Sequence, residues 1–275
     1  MTRLTHLRPR FPSGNPERLR AYCNALIDEV VDHSRAIDFD AADLRFAHAN
    51  GDTVSSWVAR RGGLTATATG TPEFRVPTSD MPEPAVYFAA SGELLETPAM
   101  IDWSTYDVAT MIASSSSAVV SGVARGFSLA AGTGSIGDTA GRGLGVYRVD
   151  NKVTGLVYTA GASVFYFERD NDTDPANMIG VGLFDISAGT PTQDQVRLWV
   201  EGVEESGTGN SETSNIGNTF QSTLRLRLGA QDTAGADGID GKIARAIVSP
   251  QDIGVAGVAA VTAALQAIRG SWFVP

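Results

Sequence analysis

From about Ala36 onward the hydrophobic positions gather into short runs rich in Val, Thr, Phe, Tyr and Trp that alternate with polar turns. Each run is bounded by Gly, Asn, Asp, Ser or Pro. TVSSWVAR, AVYFAA, YDVATMIASSS, GFSLAA, GLGVYRV, GLVYTA, SVFYFER, MIGVGLFDI, QVRLWVEG, TLRLRLGA and GKIARAIV are eleven such runs. With no long helix between them, they predict an antiparallel all-β sandwich rather than a parallel α/β sheet.

The two ends carry a different period. PERLRAYCNALIDEVVDHS places Leu19, Tyr22, Ala25 or Leu26, and Val30 at helical spacing, which predicts one amphipathic helix over 16–34. Its apolar stripe has two possible partners, its own domain or another subunit. At the other end, Ser249, Pro250 and Asp252 form a helix-start signal, followed by Val258, Val261, Leu265 and Ile268 and a stop at Gly270. This predicts a closing helix over 250–269. So little charge on it requires that it lie against the sandwich or a neighbour. The organisation expected is an N-terminal arm and helix, 1–35, ahead of a β domain, 36–275.

Charge divides the chain the same way. Within the first 20 residues Arg3, Arg8, Arg10, Arg18 and Arg20 stand against Glu17, a balance of +4, which leaves −14 on the remainder of a chain whose net charge is −10. A body so acidic repels phosphate backbones and anionic membranes, so neither nucleic acid nor membrane is expected as a partner. The basic arm, through those five arginines, is the expected attachment element. Cys23 is the only cysteine, so packing rather than an intrachain disulfide must hold the fold. MTRLTHLRPRFPSGNPERL has no apolar run of signal-peptide length, and the expectation is synthesis in the cytoplasm with any export by another route.

Several stretches, taken in order, resemble a known family. NGDTVSSWVARRGGLTATATGTPEFRV (50–76) has a Gly-Asp turn leading to a strand that ends in Ser-x-Trp. AVYFAASGELLETP and DVATMIASSS follow, then the hairpin QVRLWVEGVEES (195–206), TLRLRLGAQ, and GIDGKIARAIVSPQDI (238–253) with its Ser-Pro-x-Asp entry to the last helix. Over 40–270 the chain resembles the laminin-G-like or concanavalin A-like jelly roll, in the form found in bacteriophage structural proteins. The resemblance implies a jelly-roll sandwich and a non-enzymatic structural protein of a phage or phage-like virion, displayed from head, neck or tail. Its expected partners are other virion proteins and copies of itself, with a trimer favoured, and host surface polysaccharide. A free lectin-like module and a glycan hydrolase are the alternatives.

Candidate chemistry is sparse. SVFYFERDNDTD puts Glu168, Asp170 and Asp172 on one face if the strand continues through them, the arrangement a hydrolase would need. A solvated turn, or a calcium loop using Asp170, Asp172 and Asp174, explains the same letters; no cofactor beyond calcium is indicated. The three histidines, His6, His33 and His48, adjoin no Ser or Cys motif, and zinc chemistry lacks its ligands. AAGTGSIGDTAGRGLG (130–145) contains G-x-G-x-x-G but follows a strand and leads to no helix, which makes it a surface loop. For sugar stacking, Trp57 and Trp199 are expected in the core, leaving Trp103 and Tyr106 in IDWSTYD, together with Tyr147 and Tyr158.

Overall fold

A computed structural model describes residues 15–32, 34–89, 92–98, 102–117, 126–132, 142–149, 153–160, 163–170, 177–185, 187, 196–205, 208–211, 220, 224–230 and 238–272. In chain order the elements begin with α1 (Pro16–Val30), β1 (Ile37–Asp40), β2 (Ser56–Val58), β3 (Thr65–Thr69), β4 (Glu73–Arg75), β5 (Ala85–Phe88) and β6 (Leu94–Glu96). Next come β7 (Val108–Ser117), β8 (Gly126–Gly132), β9 (Arg142–Val149), β10 (Val153–Ala160), β11 (Ser163–Asp170) and β12 (Asn177–Asp185). The chain closes with β13 (Val196–Val200), β14 (Val203–Glu204), β15 (Thr208–Ser211), β16 (Arg225–Leu228), β17 (Gly241–Ser249) and α2 (Gly254–Trp272).

The strands form two antiparallel sheets. One runs β14-β13-β12-β7-β17-β5-β4, with β1 paired to β17 beside that path, and the other runs β15-β11-β10-β9-β8-β16-β6-β3-β2. This is the all-β, concanavalin A-like sandwich expected, with a helix at each end of the chain. Every one of the eleven predicted runs contains a strand.

The sandwich has a third layer. Alternation along the first sheet sends Met178 and Phe184 of β12, Val196 and Leu198 of β13, and Met111 of β7 into the core between the sheets. Ile179, Val181, Leu183, Trp199 and Ile112 point the other way, into a second core closed by Leu19, Cys23 and Ile27 of α1 and Val258, Val261, Leu265 and Ile268 of α2. The central strands of this sheet, β12 and β17, are therefore buried on both faces. Each such apolar side chain contributes about 1.5–3 kcal/mol when fully buried, so four from α2 readily hold a helix that has few charges of its own. The stripe on α1 packs on its own domain, the first of its two possible partners. Trp57 and Trp199 are both buried, as expected, but in different cores: Trp57 lies between the sheets, edge-on to Phe39, and Trp199 lies under the helices.

Local chemistry sets the helix ends. The Asn15 side chain accepts from the Glu17 and Arg18 amides and Pro16 takes the first helical position, so α1 begins where predicted. It stops at Val30 rather than 34, because Gln251 closes its end: the amide of Gln251 donates to the Val30 carbonyl at 3.0 Å, and the Asp32 N–H donates to Gln251 Oε1 at 2.8 Å. α2 starts at Gly254, not Pro250, where the Asp252 carboxylate accepts the Gly254 N–H at 2.7 Å. It runs through Gly270 to Trp272. Gly257 lets the helices meet, since a Cβ there would lie 2.9 Å from Val30 Cγ1.

The run GKIARAIV holds a further device. Ile243, Arg245 and Ile247 are spaced by two and would share a face in a regular strand. A register shift between Ile243 and Arg245 adds one residue, Ala244, to β17. Ile243 therefore faces the inter-sheet core with Ala246 and Val248, while Ile247 faces the helices. Arg245 meets Asn24 of α1 through Nη1 at 2.6 Å and Asp38 of β1 through Nε and Nη2 at 3.0 and 2.7 Å.

Around Arg245 lies an ion-pair network that ties α1 to the sheet. Asp38 also accepts from Arg60 at 2.9 and 2.6 Å, Arg60 reaches Asp28 of α1 at 2.6 Å, and Arg61 joins Asp28 at 2.8 Å. Arg20 donates to Asp40 at 2.8 Å and Asp43 at 2.5 Å. The flanking arginines hold the Asp38 carboxyl below the usual carboxylate range in spite of its burial. Four arginines face four aspartates, so the cluster carries no net charge, which is the condition for burying it.

Candidate cleft beside the first helix

A cleft of about 260 Å³ opens where the turn after α1 meets two loops of the sandwich. Ser34 and Arg35 from that turn form one wall, Gly62 and Leu64 between β2 and β3 a second, and Asp102, Trp103 and Tyr106 between β6 and β7 a third, with Ile37 and Pro250 completing it. Gly62 makes the close approach possible: its φ is +88° and a Cβ there would stand 2.9 Å from Ile37 Cγ1.

Each polar group of the cleft is positioned by a local bond. Asp102 Oδ1 accepts from the Ser104 N–H at 2.9 Å and the Ser104 hydroxyl at 2.7 Å, which holds its carboxyl below the usual range and leaves Oδ2 for a ligand. Asp32 Oδ1 accepts from the Ser34 N–H and hydroxyl at 3.0 and 2.8 Å, and its other oxygen lies 3.5 Å from Arg35 Nε. The Arg35 guanidinium sits 5.4 Å from the centre of the Tyr106 ring. Tyr106 is half-buried with one side against the inter-sheet core. Its backbone is pinned by bonds to Trp103 and Phe220.

Of the aromatic candidates, the structure brings Trp103 and Tyr106 together here. Trp103 is 3% exposed and packs edge-on against Phe220, so it supports the cleft wall and offers no open ring face. Tyr147 and Tyr158 belong to β9 and β10, paired with Gly155 and Leu144. Sequence reasoning missed Arg35, Ser34 and Asp102. Asp102 had a signal in the Asp-x-Ser spacing of a self-bonded turn, whereas Arg35 is brought opposite Tyr106 only by the fold.

The acidic candidates lie elsewhere. β11 ends at Asp170, so Glu168 and Asp170 share a strand face, while Asp172 and Asp174 lie outside the described residues. No group of three or more metal-ligating side chains occurs among the described residues. The glycine-rich segment connects β8 to β9, which pair directly with each other, so it is flanked by strands at both ends. Among the attachment arginines, Arg3, Arg8 and Arg10 lie outside the described residues and Arg18 is exposed. Arg20 is 8% exposed and spent on Asp40 and Asp43, so it is not available to a partner. Cys23 is fully buried, and burial pushes its thiol up to about 11, far from a nucleophile's range. Among the described residues no helix is long and apolar enough to cross a membrane.

No known family's sequence pattern matches this chain, and no curated protein does. Solved structures do. A sialidase of Trypanosoma rangeli in complex with sialic acid is similar at a TM-score of 0.57 and 13% identity, over 92% of this chain and 39% of the sialidase. The binding domain of botulinum neurotoxin serotype C1 is similar at 0.53 and 10% identity, over 79% of this chain and 51% of that one. The CBM40 of Ruminococcus gnavus IT-sialidase, bound to alpha2,3 sialyllactose, aligns at 0.43 and 15% identity over 65% of this chain and 96% of that one. The chain thus spans about two-fifths of the sialidase's length. At these identities the likeness establishes the jelly-roll sandwich and nothing finer.

Proposed function

We propose that this chain is a carbohydrate-binding module that holds a sugar ring in the cleft beside α1 and does not cleave it. The observation that carries this reading is the juxtaposition of Tyr106 with Arg35 and Asp102, each fixed by its neighbours, in a cavity of about 260 Å³. Sugar recognition uses an aromatic surface for C–H groups and pre-positioned charged or amide groups for hydroxyls. A cavity of this size suits one ring rather than an extended chain. The sialidase of similar fold, seen with sialic acid, is in keeping with a saccharide ligand. Most glycoside hydrolases use two carboxyl groups across the bond, one of them protonated. Asp102 is the cleft's carboxylate among its described lining residues, and the Ser104 bonds keep it ionised.

Carriage on a phage or phage-like particle would make such a module an adhesin, with the basic stretch holding Arg3, Arg8 and Arg10 as its tether. Co-purification with particles tests that part separately. The binding reading is tested by affinity electrophoresis in polysaccharide gels. Retardation that Tyr106→Ala abolishes, with no release of reducing sugar, is expected. Equal mobility in every polysaccharide would refute it.

A further inference from the structure

Granting that the cleft binds a sugar, we infer that the sugar is uncharged. The argument is electrostatic. Arg35 is the cleft's cation, but its charge is already offset by Asp32 at 3.5 Å, and its guanidinium is further engaged over the Tyr106 ring. Asp102 adds a second carboxylate, fully ionised through its two bonds from Ser104. Asp32, Arg35 and Asp102 together carry −1, on a chain whose net charge is −10. A carboxylated or sulfated sugar entering here meets a negative site with no spare cation among its described lining residues.

An uncharged ring fits the same groups. Asp102 Oδ2 accepts from one or two sugar hydroxyls, and Ser34 Oγ, itself donating to Asp32, accepts from another. Arg35, half-exposed, donates across the cleft. The apolar face of the ring lies toward Leu64 and the edge of Tyr106, whose ring face Arg35 covers. The cleft therefore selects against acidic sugars by like charge and admits neutral ones through acceptors that need no counter-ion.

The test uses the whole chain on an array of matched glycan pairs that differ only in one acidic group: galactose-terminated against sialylated, and plain against sulfated. Binding to the uncharged member is expected, weaker by at least about threefold for its acidic partner at low salt, the repulsion of one charge at roughly 6 Å in water. The gap should narrow as salt is raised. Asp102→Asn, which removes the repelling charge and an acceptor, should weaken the uncharged glycan while shrinking the discrimination. Preference for the acidic members would overturn the inference and leave the carbohydrate reading standing. An array silent for all members would overturn both, and binding unchanged in Asp102→Asn and Tyr106→Ala would place the site elsewhere.

Discussion

Asp38 is the hub of the network beneath α1, and replacing it by Asn should cost more stability than deleting the arginine it holds. The carboxylate is 2% exposed and accepts two bonds from Arg245 and two from Arg60. Asn keeps one acceptor oxygen and turns an amide N–H₂ toward a guanidinium. Arg245 would be left with Asn24 and with Asp40 at 3.7 Å, its charge buried and poorly matched. Uncoupling a buried ion costs about 3–5 kcal/mol, which lowers the melting midpoint by roughly 6–20 °C at about 2–4 °C per kcal/mol. Arg245→Met is milder, because Asp38 keeps Arg60 and Asp40 keeps Arg20; about 1–3 kcal/mol is expected. In the double variant the losses should fall short of additivity by about 1–3 kcal/mol. Urea unfolding at pH 7 of the parent, the two single variants and the double variant measures all four corners. If Arg245→Met costs as much as Asp38→Asn, or if the two losses simply add, Asp38 is not the hub.

Four further outcomes are expected. Asp38 titrates below its unfolded range, so its contribution is present above about pH 3.9 and is lost as pH falls through the lower folded value, whereas Glu83, pushed up by burial, contributes stability below about pH 4.3 that is lost as pH rises through its folded value. Glu83→Gln should therefore flatten the stability profile on the alkaline side of that window while Asp38→Asn flattens it in acid, as followed by melting between pH 3 and 8; an unchanged alkaline limb in Glu83→Gln would count against its raised pKa. Gly229→Ala should destabilise by more than about 1 kcal/mol, because φ is +92° and the new Cβ would lie 2.5 Å from the Phe88 ring, and a wild-type melting midpoint would contradict this. Cys23 should resist a thiol reagent at pH 8 in the native protein and react at the unfolding rate in urea, whereas rapid native labelling would show α1 opening on its own.

How far the sequence could be read depended on whether a signal was local. Long apolar runs bounded by turn residues, such as MIGVGLFDI, declared their strands because the signal lies within the run itself. IDFD did not, since Asp38 and Asp40 look like turn residues until Arg245 and Arg20, remote in the chain, neutralise them. TATAT lacks the large side chains that mark a buried face, and EFR offers Phe74 alone between two charges, so each becomes a strand through the edge it joins: β3 beside β6, β4 beside β5. The end of α1 depends on Gln251, more than 200 residues away, and the parity change at Ala244 leaves no mark in GKIARAIV. For the cleft, IDWSTYD announced Trp103 and Tyr106. That Trp103 is covered and that Arg35 stands over Tyr106 are facts of packing.

β17 sits between β7 on one side and β5 and β1 on the other, yet among the described strands it comes last in the chain. While the ribosome is still making the chain, β1 must wait for a partner about 200 residues downstream, roughly 10–40 s at ordinary elongation rates. Until then the edges of β5 and β7 that will receive β17 stay open, and the ledge on which α1 rests is incomplete. The nascent chain is thus exposed to mispairing until β17 is made, and a product cut short before Gly241 would lack the strand that joins the two halves of its sheet. Closure of this sheet waits on the making of one strand, β17.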